Sequence, residues 1–248
     1  MKNKDEIKNY YQDKKVAKKY IEKRFKSPIY SYEHKTQIKF INDNINQTKS
    51  ENVLEIACGP GRITSEIKVK KGIAIDSSDE MIKIATKRIK NKNWKITKKD
   101  AFNLNFKTKF DLIFTFRFLF HFKKDERKKL IGQIKNNLKK DGYLIFEALN
   151  KNKVTKIRTL VEQIKLKQDN YPVYDKLYQK KELVTELETA GFKIITIKPI
   201  VQHFWTQIII SKIFELIGMR MFAEKLINKI DTFNSKNPMQ WLIICQKK

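Results

Sequence analysis

A chain of 248 residues with 41% hydrophobic and 11% aromatic side chains can bury a sizeable core, which excludes a disordered polyelectrolyte even though 33% of its residues are charged. Its 54 Lys and Arg against 27 Asp and Glu leave a net charge of +27, a field that attracts nucleic acid or anionic lipid without choosing between them. Two cysteines, Cys58 and Cys245, build neither a disulfide framework nor a metal set, no apolar run reaches the ~18 residues of a membrane span, and the N-terminus lacks the apolar centre of a secretory signal. The expectation is a cytoplasmic protein with no metal and no disulfide partner.

In chain order, residues 1–48 read as a helical, amphipathic cover carrying the aromatic series Tyr10, Tyr11, Tyr20, Phe25, Tyr30 and Tyr32. "VLEIA" (53–57) is a buried strand, and a helix is expected from about Arg62 with Ile63 and Ile67 inward. "GIAID" (72–76) is a second strand. The helix after it has Met81, Ile82, Ala85 and Ile89 at helical spacing and Ser78 as its N-cap. "WKITKKD" (94–100) and "FDLIFTF" (110–116) are the third and fourth strands, and Leu130, Ile131, Ile134 and Leu138 stripe the next helix. The Asp-Gly pair of "KKDGYLIFEA" turns the chain into a fifth strand. Leu183, Val184, Leu187 and Ala190 stripe a helix closed by Gly191, before a sixth strand (192–200) and a seventh in "MQWLIICQKK" (239–248).

This alternation predicts an α/β, doubly wound, mostly parallel sheet covered on both faces. The domain reading is a single unit over 1–248: a helical cover (1–48), a core (49–200 and 239–248) and a helical insertion (201–238).

The motif "VLEIACGPGRIT" (53–64) runs a strand into a glycine turn. At the carboxyl end of the first strand of such a sheet, glycines let a ligand reach the backbone, so a polar ligand is expected there. The dinucleotide fingerprint G-x-G-x-x-G is met only in part, because Thr64 holds the third glycine's position. Asp76, which closes the second strand, has the placement of a ribose-binding acid.

Taken with "GIAIDSSDEMIKIATKRI", "DAFNLNFKTKFDLIFTFRFLFHF" and "LKKDGYLIFE", this stretch resembles the class I (Rossmann-like) S-adenosylmethionine (SAM)-dependent methyltransferases. The resemblance spans residues 50–200 and 239–248, with Ala57 where many members have glycine. It implies a seven-stranded sheet whose last strand is antiparallel, and SAM as cofactor. It also implies that Glu55, Ala57, Cys58, Gly59 and Gly61 line the methionine half of SAM and that Asp76 holds the ribose hydroxyls. Ser77 and Met81 would border the adenine, Asp100 and the Ala101 backbone would read its edge, and Thr115 and Phe116 would lie beside the sulfonium.

Methyl transfer from a sulfonium needs alignment and water exclusion, and a base only where the acceptor must lose a proton. His121 and His203 are the candidate bases, and Arg117 is a candidate holder of an acidic group. "TFRFLFHF" stands where amino-methylating nucleic-acid enzymes carry an Asn-Pro-Pro-Tyr type of motif, and it resembles the small-molecule enzymes of the ubiquinone and menaquinone biosynthesis type. The acceptor is therefore expected to be a small-molecule or lipid-like compound. The alternative is an RNA methyltransferase or a basic RNA-binding protein retaining the SAM-binding fold. In the insertion, Ile209, Ile213, Leu216, Ile217 and Met221 are expected on one helical face, with Lys212, Arg220, Lys225 and Lys229 at its rim. Such a face packs on the sheet, lids a pocket, or lies on a membrane through residues 205–230, peripheral to it.

Overall fold

The computed structural model describes residues 10–13, 16, 27–163 and 174–248. The first full helix, α1 (Pro28–Gln47), has proline in its opening turn and leads into β1 (Asn52–Ile56). There follow β2 (Lys71–Asp76), α2 (Asp79–Arg88), β3 (Trp94–Lys98), β4 (Phe110–Thr115), α3 (Lys124–Asn137) and β5 (Leu138–Asn150). The second half contains α4 (Lys151–Gln163), β6 (Leu177–Tyr178), α5 (Lys180–Thr189), β7 (Phe192–Ile200), α6 (Phe204–Leu216), α7 (Arg220–Ile230) and β8 (Gln240–Lys247).

The strands form one sheet in the order β3-β2-β1-β4-β5-β8-β7, with β6 pairing the far end of β5. Strands β1 to β6 pair in parallel, and β8 enters antiparallel between β5 and β7. The order reverses between β1 and β4, which opens a crevice at the carboxyl ends of the strands.

Side chains alternate across the sheet. Leu54, Ile56, Ile113 and Leu144 face Leu130, Ile134 and Leu187 of α3 and α5. Val53, Leu112, Phe114 and Ile145 face Phe40, Ile41 and Ile45 of α1 and Ile227 of α7. Burying one such residue contributes about 1.5–3 kcal/mol, so α1 is as much core as the sheet it covers.

Several expectations are met in detail. Ser78 caps α2 by accepting the Met81 amide at 3.2 Å, and Gly191 follows the last turn of α5. Others need correction. The helix expected from Arg62 is only a short turn of 3₁₀ helix at Thr64–Glu66, because Ile67 is already extended and the chain enters β2 at Lys71. The two-residue strand β6 adds an eighth member to a sheet expected to have seven. The insertion is two helices broken near Gly218, so Met221 belongs to α7 while Ile209, Ile213 and Leu216 belong to α6. Tyr20 and Phe25 of the aromatic series lie outside the described residues. No helix among the described residues is long and apolar enough to cross a membrane.

Candidate functional site

The glycine turn is shaped by left-handed backbone at three alternate positions. Ala57, Gly59 and Gly61 all have positive φ, at 56°, 55° and 73°. A Cβ added at Gly59 would meet nothing within 4 Å, because it would project into the crevice. A Cβ at Gly61 would instead strike Ile89 Cδ1 at 2.9 Å and Ala85 Cα at 3.3 Å. The two glycines therefore do different jobs: Gly59 opens the ligand side, and Gly61 lets the turn pack on α2.

Asp76 reaches back to this turn. Its Oδ2 accepts the Gly59 amide at 2.9 Å and its Oδ1 accepts the Ser78 amide at 2.9 Å, and the residue lines the cleft. Burial pushes its carboxyl above the usual range, and the amides of Ser78, Gly59 and Ser77 oppose that shift. Asp100 is held similarly, accepting the Phe102 amide at 2.9 Å.

The cleft is open to solvent at its mouth and has an interior volume of about 100 Å³. Ala57, Gly59, Asp76, Ser77, Met81, Asp100, Ala101, Phe116 and His121, all anticipated from the sequence, line it together. Glu55, Cys58, Gly61 and Thr115 stand behind the wall. Glu55 is buried and accepts the Thr64 hydroxyl; burial raises its pKa to about 8 despite that bond and the nearby Arg62. Cys58 donates its amide to Ile75 O at 2.9 Å, and burial raises its thiol. The Thr115 hydroxyl donates to Ile56 O at 2.8 Å, pinning the end of β4 to the end of β1. His203 sits at the start of α6, its Nε2 2.9 Å from Phe233 O, within the insertion and off the cleft wall.

Pro60, within the turn read as lining SAM, and Arg117, read as a holder of an acidic substrate group or of the SAM carboxylate, also line the cleft, as do Tyr11, Lys99, Phe102 and Phe118, which the sequence reading did not assign to the cofactor. Tyr11 comes from the N-terminal cover, which reaches the cleft through Gln12: its Nε2 donates to Ser77 O at 3.2 Å and its Oε1 accepts the Asp79 amide at 3.2 Å. The Ser78 hydroxyl donates to Tyr11 O at 2.9 Å. No local pattern identifies such residues, because their partners lie 65 and more positions away.

A second, open cavity with an interior volume of about 490 Å³ adjoins the first and shares Tyr11 and Arg117 with it. Its wall is mostly apolar, with Ile29, Tyr30, Phe204, Ile208 and Met239, and the carboxylates of Glu33 and Asp175 are among its few charged groups. Arg117, at φ 55°, donates its amide to Glu147 Oε1 at 2.8 Å, and its guanidinium lies 3.9 Å from Glu33. Glu147 also accepts Gln37 Nε2 at 2.9 Å, and burial raises its pKa although Arg117 and Arg62 oppose that. Arg62 donates to Gln37 Oε1 at 2.9 Å and to His34 Nδ1 at 2.6 Å, which leaves the His34 Nε2–H to face Glu66 at 2.6 Å. Burial and Arg62 keep His34 below its ordinary pKa. This buried polar chain fastens α1 beneath both cavities.

His121 lies at their junction. It lines the donor cleft, is itself buried, and its Nδ1 is 3.1 Å from both Tyr174 O and Asp175 Oδ1, while Asp175 lines the second cavity. Burial raises the Asp175 carboxyl, but His121 and Arg158 outweigh it and hold the group below its ordinary range.

The strand order, the switch-point crevice and an acid closing β2 define a class I SAM-dependent methyltransferase fold. Residues 53–142 match the family described as methyltransferase domain. An uncharacterized methyltransferase of Staphylococcus carnosus is 30% identical over 150 residues, a match covering 60% of this chain and 66% of that protein, just under two thirds of its length. Among solved structures, magnesium protoporphyrin IX methyltransferase from Synechocystis with bound SAH superposes with a TM-score of 0.67 at 10% identity, covering 99% of this chain and 100% of that one. A possible histamine N-methyltransferase from Thermotoga maritima gives 0.62 at 19% identity, covering 96% and 100%. The N-methyltransferase NodS from Bradyrhizobium japonicum, also with SAH, gives 0.60 at 15% identity, covering 91% and 90%.

The residues present fit SAM. The open space at Gly59 and the Asp76 carboxylate on the cleft wall suit a ribose-bearing ligand.

Proposed function

We propose that the chain works as a single methyltransferase domain that moves a methyl group from SAM to a small-molecule or lipid-like acceptor held in the second cavity. The observation carrying this reading is the junction: two cavities, one polar at its glycine turn and one largely apolar, meet at Tyr11 and Arg117 with His121 beside them. Bound SAM supplies a methyl carbon already activated by the sulfonium, so the protein's task is alignment and exclusion of water. On this reading Gly59, Asp76, Ser77, Met81, Asp100 and Ala101 hold the nucleoside, and Phe116 walls the sulfonium. Arg117 borders both the donor and the acceptor. His121, its Nδ1 side facing Asp175, takes the proton of an acceptor that must lose one.

Incubation of the protein with labelled SAM and fractionated cell extract tests this. Label in lipid or small organic fractions is expected. Label entering RNA instead replaces the acceptor assignment with RNA, and no rise in melting temperature with SAM removes the donor assignment.

A further inference from the structure

The insertion contains a helix, α6, that turns polar side chains inward beside Phe204, Ile208 and Ile210 and leaves a second apolar stripe outside. On α7 the arrangement is ordinary, with Ala223 and Ile227 buried and Lys225, Asn228 and Lys229 exposed. On α6 the buried residues are Gln207 and Ser211, both polar. Gln207 Nε2 donates to Asp231 Oδ1 at 2.8 Å, and Ser211 Oγ lies 3.2 Å from Ser27 Oγ and accepts the Ile29 amide at 3.4 Å. The outward stripe of the same helix is Trp205, Ile209, Ile213 and Leu216, at 40%, 56%, 52% and 87% exposure. The turn beyond it adds Ile217 and Met219, and the first turn of α7 adds Met221 and Phe222, with Met221 at 77%. A continuous apolar patch of this kind on the outside of a folded chain marks a docking surface.

Charge selects the occupant. Lys212 is exposed within the stripe, and Lys225 stands one helical turn from Met221. The acids of residues 204–230 are Glu215 and Glu224, and Glu224 is already paired with Lys35 and Arg220. A second copy of the chain would bring another +27 against this rim, whereas an anionic bilayer reverses the sign of the interaction and accepts the apolar stripe into its headgroup boundary.

We propose that the outer face of α6 and the segment 216–222 dock the protein on an anionic membrane surface. Phe204 and Ile208, neighbours of the docking residues Trp205 and Ile209, line the second cavity, so docking sets that cavity beside the lipid phase. This last point rests on the acceptor reading above; the docking itself does not.

The test uses the full chain with phosphatidylcholine vesicles containing or lacking about a third phosphatidylglycerol. Trp94 and Trp241 are buried, so a blue shift in emission reports Trp205. Binding is expected to be at least tenfold tighter to the anionic vesicles, to fall at least tenfold in Leu216→Asp/Met221→Asp, and to weaken severalfold in Lys212→Glu/Lys225→Glu on anionic vesicles alone. Both pairs are exposed, and unchanged SAM affinity in each variant shows that the fold and donor site survive. Vesicle binding that persists in Leu216→Asp/Met221→Asp overturns the proposal. So does a concentration-dependent dimer that this double substitution abolishes while the wild-type protein ignores vesicles. Loss of SAM binding by the wild-type protein would strike the methyltransferase reading and leave docking standing.

Discussion

The Asp76 carboxylate accepts the Gly59 amide at 2.9 Å, so the acid that closes β2 also fixes the backbone of the glycine turn that follows β1. One side chain thus sets the shape of the turn and, on the proposed reading, the acceptors offered to a ribose. Asp76→Ala removes a charged hydrogen-bond acceptor that contributes about 1.5–3 kcal/mol, and SAM affinity is expected to fall roughly 10- to 150-fold by titration calorimetry. An unchanged dissociation constant would take Asp76 out of the donor site.

The two glycines of the turn are separable. Alanine at either position adopts a left-handed backbone at a cost of about 1–2 kcal/mol. At Gly59 nothing else is disturbed in the protein, but the new methyl occupies the cleft, so SAM affinity falls more than stability. At Gly61 the methyl collides with Ile89 and Ala85, so Gly61→Ala lowers the unfolding midpoint clearly more than Gly59→Ala. Equal denaturation midpoints for the two variants would contradict this division.

Glu55 imposes a pH dependence on folding. Burial raises its folded pKa to about 8, so between the ordinary carboxylate range and pH 8 the native state binds more protons than the unfolded chain. Its contribution therefore declines as pH rises from about 4.5 through 8 and is flat above that. Glu55→Gln keeps an acceptor for the Thr64 hydroxyl and has no proton to lose. It is expected to gain stability relative to the wild type, on the order of a few kcal/mol at most, as pH goes from 5 to 8. Melting curves across that interval decide the matter, and parallel wild-type and variant profiles would refute it.

His121→Ala should separate catalysis from donor binding. Loss of a positioned base costs about 10²- to 10⁴-fold in turnover for an acceptor that must release a proton, with SAM affinity within about twofold of wild type. If turnover is retained with such an acceptor, His121 is structural, and its placement near Asp175 serves packing.

Much of the core could be read from periodicity, because the strands are short, apolar and bounded by clear turn residues. β7 begins and ends where its pattern does, at Phe192 and Ile200, and the N-cap at Ser78 is a local interaction spanning three residues. The helix expected after Gly61 did not form. Ile63 and Ile67 are indeed buried, but by a segment too short for a helix before β2. The outward stripe of α6 escaped for a related reason. Apolar periodicity predicts which residues share a face, not which way that face points, and the inward direction was decided by Asp231 and Ser27, both distant in sequence. Tyr11 and Arg117 could be singled out by residue type, but the placement of Tyr11 on the cleft and the Glu147–Arg117–Glu33 contacts could not, since each joins separate elements.

Strand β8 occupies an interior position of the sheet, yet it is the last of the eight strands to be synthesised. Until residues 240–247 leave the ribosome, β5 and β7 each present an unpaired apolar edge, because β8 is the strand that joins them. The nascent chain therefore holds an open template for wrong pairings from the emergence of β5 until β8 follows, and this interval is when chaperone help or a slow ribosome would matter most.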